Sequence, residues 1–258
     1  MQEESIVTAI PKYTKQMAVE LRDLDFTKRL RLSALFTYLQ DAAGIHAEKL
    51  GLGIGRLMEE LGVSWVLMRI RADIVRYPEW DEEITIETWP LEPKRFEFER
   101  DFIVRDKEGQ VIVRAVSTWV VMDVTTRELK KGDFVGGYPA LIKERAIDCK
   151  LGKLRDYGHL EAAYRKTIGY SDVDFNGHLN NARYVDYMMD CFSIESHEQY
   201  CITSIEVNYI NEALPGDSIV LSKDISAIRQ GKVYIEGLHE KDGRVVFKAQ
   251  LLMVPRED

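Results

Sequence analysis

The same order of elements runs twice along this chain of 258 residues: a strand, a helix, then a long run of alternating strands. In the first half a strand spans Tyr13 to Leu21. Ser33 then opens a helix through LFTYLQDAAGIHAEKL, with Leu35, Leu39 and Ala42 or Ala43 at helical spacing and Gly51 as the stop. A short helix from Arg56 to Leu61 ends at Gly62. The period then changes: VSWVLMRIRADIVRY (63–77), ITIETWPL, FEFERDFIVRD and VIVRAVSTWVVMDV read as strands, separated by turn chemistry at Pro78–Asp81, Pro93–Arg95 and Asp106–Gly109. In the second half a strand near Tyr164–Gly169 precedes a helix from about Asn181 to Phe192. ITSIEVNYI, SIVLSKDISAI, KVYIEGLHE and RVVFKAQLLMV follow as strands. The joints "RYPEWDEEITIE" and "EALPGDSIVLSK" each place a proline, an acid and then a β-branched strand.

Such a repeat constrains the fold strongly. A curved antiparallel sheet has one apolar face, and a helix fills it. Two such units can pair their sheets edge to edge and leave an apolar cleft suited to a chain-like ligand. The expected class is α+β, with two helix-plus-antiparallel-sheet repeats forming one continuous sheet. The expected organisation is an N-terminal unit over 1–136, a linker over 137–160 where GDFVGGYP and a charged stretch interrupt the pattern, and a C-terminal unit over 161–258.

Composition removes several functions. A net charge of −8 argues against general nucleic-acid binding, which needs a basic face, yet leaves room for a local basic patch. No apolar run reaches membrane-spanning length, and MQEESIVTAIPKY resembles neither a secretory signal nor a transit peptide. Cys149, Cys191 and Cys201 have spacings that suit neither a metal site nor a disulfide framework, and Cys191 reads as core. A cytoplasmic protein without metal or cofactor is expected.

The stretch SDVDFNGHLNN (171–181) concentrates Asp174, Asn176, His178, Asn180 and Asn181 just before the second helix. Asn180 and Asn181 suit a turn and a helix cap. Asp172 reads as a solvated turn acid. The corresponding stretch of the first half, DLDFTKRLRLS, keeps Asp25 but has no Asn or His, which implies one site per chain, on the second half. His46, in the first-half helix, reads as a packed or surface residue. In the strand 63–77, alternation would place Trp65, Leu67, Arg69 and Arg71 on one face. That face is either a strand running from core to solvent, or a pocket wall whose basic end meets an acidic ligand.

The motif DVDFNGHLNNARYVDYMMD resembles the aspartate-x-asparagine-x-histidine-x-asparagine-asparagine signature of the plant and bacterial acyl-acyl-carrier-protein thioesterases. WVLMRIRADIVRYPEWDEEITIETW and FERDFIVRDKEGQVIVRAVSTWVVMDVTTRELKK are similar to that family's first-domain stretches, so the resemblance covers most of residues 10–255. It implies a tandem double hotdog and hydrolysis of the thioester between a fatty acyl chain and carrier-protein phosphopantetheine, with acyl carrier protein as partner. Whether two chains pair as a homodimer stays open. The family's residues fall on Asp174, Asn176, His178 and, in "VNYINEAL", Glu212; the cysteine that follows in the family is Ala213 here. A cysteine nucleophile at that position is therefore excluded.

The chemistry needs a base, a nucleophile and oxyanion donors. Glu212 can activate water or attack the thioester to form an anhydride. His178 can orient water or shuttle protons, Asn176 can donate its amide, and Asp174 can hold either in place. Asn180, Asn181, Trp65, Arg69 and Arg71 are the expected substrate-binding residues, the arginines toward phosphopantetheine phosphate or the carrier. The competing readings are an acyl-CoA thioesterase on the same scaffold, a non-catalytic acyl-binding module and, more weakly, a hotdog dehydratase, whose asparagine-proline motif is here interrupted by Gly177. A buried acid beside an acyl pocket argues against the pure binder.

Overall fold

The computed structural model describes residues 10–132 and 142–256. Most of the glycine-rich segment GDFVGGYP lies outside the described residues, as do the boundary at 136 and the start of the expected linker. Six strands belong to the first half: β1 (Tyr13–Ala18), β2 (Val63–Ile74), β3 (Glu83–Pro90), β4 (Phe98–Asp106), β5 (Val111–Asp123) and the short β6 (Leu129–Lys130). Five belong to the second: β7 (Glu161–Thr167), β8 (Tyr200–Tyr209), β9 (Ser218–Asp224), β10 (Lys232–His239) and β11 (Val245–Pro255). They form one antiparallel sheet in the order β1-β3-β4-β5-β2-β8-β11-β10-β9-β7, with β6 attached to β5. The second half reverses the strand order of the first. The seam is β2 on β8, from Arg69 opposite Asn208 to Asp73 opposite Ser204, so each half covers the other's open edge.

Helix α1 (Leu32–Lys49) buries Leu32, Leu35, Phe36, Leu39, Ala42, Ala43 and His46, one stripe at helical spacing. Burying a side chain such as Phe36 or Leu39 completely contributes about 1.5–3 kcal/mol. Helix α3 (Asn181–Met189) does the same for the second half with Ala182, Val185 and Met188, and packs against α1. The short α2 (Ile54–Leu61) ends at Gly62, whose φ of +63° only glycine adopts readily. Helix α4 (Ile194–Gln199), which the sequence pattern did not announce, is polar and starts from a Ser193 cap. The expected second helix stops at Met189, so Cys191 lies beyond it, yet is buried as expected. Among the described residues no helix is long and apolar enough to cross a membrane.

Residues 142–157 cross the outer face of the sheet without regular structure. Trp89 Nε1 donates to the Glu144 carbonyl (3.0 Å) and the Ala146 N–H donates to Asp101 Oδ2 (2.7 Å). Further along, the Leu154 N–H donates to Asn208 Oδ1 (2.9 Å) and Tyr157 stacks on Tyr234. This strap covers Trp89, Ile103 and Val116 in a core of their own and runs from the first half's strands to the second's.

The turns before α1 and α3 share one backbone. The Asp25 N–H donates to the Arg29 carbonyl (2.9 Å), as that of Asp174 does to His178 (2.9 Å). Lys28 and Gly177 both take positive φ, +64° and +79°. Asp25 Oδ1 accepts from the Thr27 N–H, and Asp174 Oδ1 from the Asn176 N–H. The first half therefore has a structural counterpart of the motif, without its chemistry: Thr27 and Arg29 stand where Asn176 and His178 stand.

Candidate active site

Asp174 shapes the loop that presents the polar residues. Its Oδ1 accepts the backbone N–H groups of Asn176 (2.9 Å) and His178 (3.3 Å), an Asx turn closed at Gly177. The Leu179 N–H donates to the Ala213 carbonyl (3.0 Å), which ties this loop to the segment after β8. That tie brings His178 Nε2 to 3.3 Å from Glu212 Oε2. Both side chains are partly exposed, at 30% and 39%, so Glu212 is not the buried acid expected from the sequence, because it sits at the open mouth of the loop rather than under the sheet. Glu212 also pairs with Arg127 through its other oxygen, and its carbonyl accepts from Arg244 (3.3 Å). Among the described residues the first half has no such pair. By the same tie, Leu30 N–H to the Pro78 carbonyl (2.8 Å), Tyr77 takes the place of Glu212, and its hydroxyl donates to the Ile202 carbonyl (2.8 Å).

Asn180 and Asn181 have structural work. Asn180 caps α3, its Oδ1 accepting from the Ala182 N–H (2.8 Å). Asn181 donates through Nδ2 to Gln40 Oε1 (3.2 Å) and accepts at its carbonyl from the Tyr209 hydroxyl (3.0 Å), joining α3 to α1 and β8. Both still face a cavity of about 1120 Å³, as do Asp174, Asn176, His178 and Glu212. From these residues the cavity extends along α1 past Gln40 and Gly44 and over β2, β5 and β4, where Trp65, Leu67, Trp119 and Phe98 supply apolar walls. Trp65 is fixed by its Nε1 donating to the Leu52 carbonyl (2.9 Å) and by edge-to-face packing on Phe98. Tyr184 and Tyr209 close the second-half side; burial, together with the nearby Glu212 charge, holds the Tyr184 hydroxyl well above the usual phenol range.

Two further expectations need correction. Arg69 and Arg71 do not share a face with Trp65 and Leu67. Leu67 pairs with Trp119 and Arg69 with Thr118, so Met68 is an extra residue in β2, a bulge that inverts the alternation. Beyond it Ile70, Ala72 and Ile74 join Leu67 in the core, while the arginines turn to the other face. There Arg69 meets Glu97 (3.1 Å) and Arg71 is held bidentately by Asp73 (2.9 and 3.0 Å), and neither lines the cavity. Asp172 is buried and accepts the Gly169 N–H (2.8 Å) rather than sitting in solvent. Arg127, Arg244, Gln40 and Tyr184 were not foreseen. Arg127 sits in a charged turn whose local pattern is that of any solvated loop, and only the fold brings it to Glu212.

Comparison with known proteins agrees with this layout. The family model described as the acyl-ACP thioesterase N-terminal domain matches residues 11–132, and the C-terminal domain model matches 160–250. A chloroplastic dodecanoyl-[acyl-carrier-protein] hydrolase of Cinnamomum camphora is 29% identical over 81% of this chain and 58% of its own length. A chloroplastic palmitoyl-acyl carrier protein thioesterase of Gossypium hirsutum is 26% identical over 78% of this chain and 52% of its own. The chain thus spans a little over half the length of these curated relatives. Among solved structures, an acyl-ACP thioesterase from Bacteroides thetaiotaomicron superposes with a TM-score of 0.85 at 28% identity, covering 95% of this chain and 98% of that one. The 12:0-ACP thioesterase from Umbellularia californica gives 0.81 at 25% identity over the same shares. The continuous antiparallel sheet with its two repeats is the double hotdog that the sequence led one to expect, and the chain belongs to the acyl-ACP thioesterase family.

Proposed function

We propose that this chain hydrolyses the thioester of fatty acyl-acyl carrier protein, releasing free fatty acid and the carrier's phosphopantetheine thiol. The observation that carries the reading is the His178–Glu212 pair at 3.3 Å, placed on the wall of a cavity that Trp65, Leu67, Trp119 and Phe98 also line. An acyl chain lies against Trp65, Leu67 and Trp119 while its thioester carbonyl meets the polar loop. Glu212 takes a proton from a water whose oxygen attacks the carbonyl carbon. The developing oxyanion is met by the Asn176 amide, with His178 holding Glu212 in register. Collapse breaks the C–S bond, and the proton passes from Glu212 to the departing thiolate. Asp174 acts through the loop backbone. Ala213, fully buried, leaves no thiol beside Glu212.

In this reading the second half supplies the catalytic groups and the first half shapes the acyl pocket. The carrier protein is the partner and the compartment is the cytoplasm, though the plant relatives are named as chloroplastic. The test is steady-state hydrolysis of matched acyl-carrier and acyl-CoA thioesters by wild type, Glu212→Gln and His178→Ala. Loss in both variants supports the assignment. Equal turnover of the CoA thioesters would move the substrate class to acyl-CoA, and wild-type rates in both variants would remove the site.

A further inference from the structure

The turn after β5 is built to hold one arginine out. Asp123 Oδ1 accepts the N–H groups of Thr125 (3.0 Å) and Thr126 (2.9 Å), and its carbonyl accepts that of Arg127 (3.0 Å). The Thr126 N–H, Lys130 at 3.1 Å and the Thr125 N–H hold the Asp123 carboxyl down at about 2, so the turn keeps its charge at neutral pH. Arg127 itself takes φ +63°, a left-handed conformation that a non-glycine residue adopts at a cost. From this turn of the first half its guanidinium reaches Glu212 of the second half and lines the same cavity. The same left-handed residue closes the hairpin between β5 and β6 and places its side chain across the seam between the halves.

We propose that Arg127 is a positioning residue for hydrolysis: it holds one oxygen of Glu212 so that the other stays against His178. The proposal rests on the reading of Glu212 as the base. A glutamate carboxylate on three rotatable bonds would otherwise sample orientations away from the attacking water, and small misplacements are expensive in rate. In this arrangement the guanidinium acts through the Glu212 carboxylate and meets neither the substrate nor the attacking water. Because the pair is roughly half exposed, with 46% and 39% of the side chains accessible, its removal leaves the fold standing.

The experiment compares wild type, Arg127→Ala, Arg127→Lys and Glu212→Gln on lauroyl and palmitoyl thioesters, each carried on acyl carrier protein and on CoA, with thermal unfolding as a control. Positioning predicts that Arg127→Ala lowers kcat about 10- to 100-fold on both carriers, with KM nearly unchanged. Arg127→Lys, which keeps the charge without the planar fork, should recover part of that loss. A wild-type kcat for Arg127→Ala beside an inactive Glu212→Gln overturns the proposal and leaves the site reading intact. A change confined to KM for the carrier-protein thioesters overturns it in favour of docking. Wild-type turnover by Glu212→Gln removes the reading and the proposal together.

Discussion

His178 Nε2 lies 3.3 Å from Glu212 Oε2, although one side chain comes from the loop before α3 and the other from the chain beyond β8. The backbone bond from Leu179 to the Ala213 carbonyl sets this approach, one residue along from each partner. The pair is therefore fixed by sheet and loop geometry before any substrate arrives, as electrostatic preorganisation requires.

Glu212→Gln keeps the shape and removes the base. Its kcat should fall by about 10²- to 10³-fold on an acyl-carrier thioester, the usual scale for a lost general base or oxyanion donor. Thermal unfolding should stay near wild type, since the side chain is partly exposed. An unchanged kcat would mean that another group activates the water.

Thiol reagents should leave hydrolysis intact. Ala213 follows Glu212, and none of the three cysteines lines the cavity. Burial pushes the Cys191 thiol up to about 12, so it offers almost no thiolate. Full activity after iodoacetamide treatment, with labelling of Cys149 or Cys201 confirmed by mass, is the expected result; inactivation tracking the labelling of one thiol would contradict the cysteine-free mechanism.

The repeat, the helices and the strand runs were legible because their periods are local: 3.6 for the α1 stripe, 2 for the strands. The loop of Asp174 was legible as chemistry, since its polar residues lie within eleven positions. Three features were not. The Met68 bulge shifts a two-residue period by one, and nothing in VLMRIR marks it. The strap over the outer face has no period at all; its order comes from Trp89, Asp101 and Asn208, which lie far away in sequence. Arg127 meets Glu212 only because β2 pairs β8 and seats the two halves together.

His46 should make the protein acid-sensitive. Its Nε2 donates to the Ile10 carbonyl (2.7 Å), which can only accept, so Nδ1 is bare and accepts from Arg100 (2.9 Å). Burial, with the Arg100 charge beside it, lowers its pKa from 6.5 to about 4. Below pH 6.5 the unfolded chain takes up this proton and the folded chain does not, so stability drops as pH falls. Each pH unit is worth about 1.4 kcal/mol, and the loss reaches about 3 kcal/mol by pH 4. Urea unfolding at pH 7, 5.5 and 4.5 should show a steeper decline for wild type than for His46→Gln; parallel declines would assign the sensitivity elsewhere.

Asp174 separates a loop-building role from proton chemistry. Asn at this position keeps an oxygen for the N–H groups of Asn176 and His178, while Ala keeps none. Asp174→Asn should retain most of kcat. Asp174→Ala should lose about 1 kcal/mol of stability, typical of a lost turn bond, and a larger share of kcat as His178 drifts. Equal, severe loss of kcat in both variants, without loss of stability, would show that the charge of Asp174 takes part in the reaction.

The duplicated turn offers a matched pair of backbone tests. Gly177 takes φ +79° with no atom within 4 Å of where a Cβ would stand, so Gly177→Ala meets strain without a clash. It should cost about 1 kcal/mol, the lower end for a left-handed residue with a Cβ. Lys28 pays that strain already at φ +64° in the first half. Lys28→Gly removes it, but gives back about 0.5–1 kcal/mol through the freedom glycine gains in the unfolded chain. The net is a stabilisation of at most about 0.5 kcal/mol, read as a Tm higher by about one to two degrees. Its effect on hydrolysis should be nil, because the first-half turn carries Thr27 and Arg29 where the second carries Asn176 and His178. A fall in kcat for Lys28→Gly would show that the first-half turn is coupled to the site, which the closed arrangement around Tyr77 argues against.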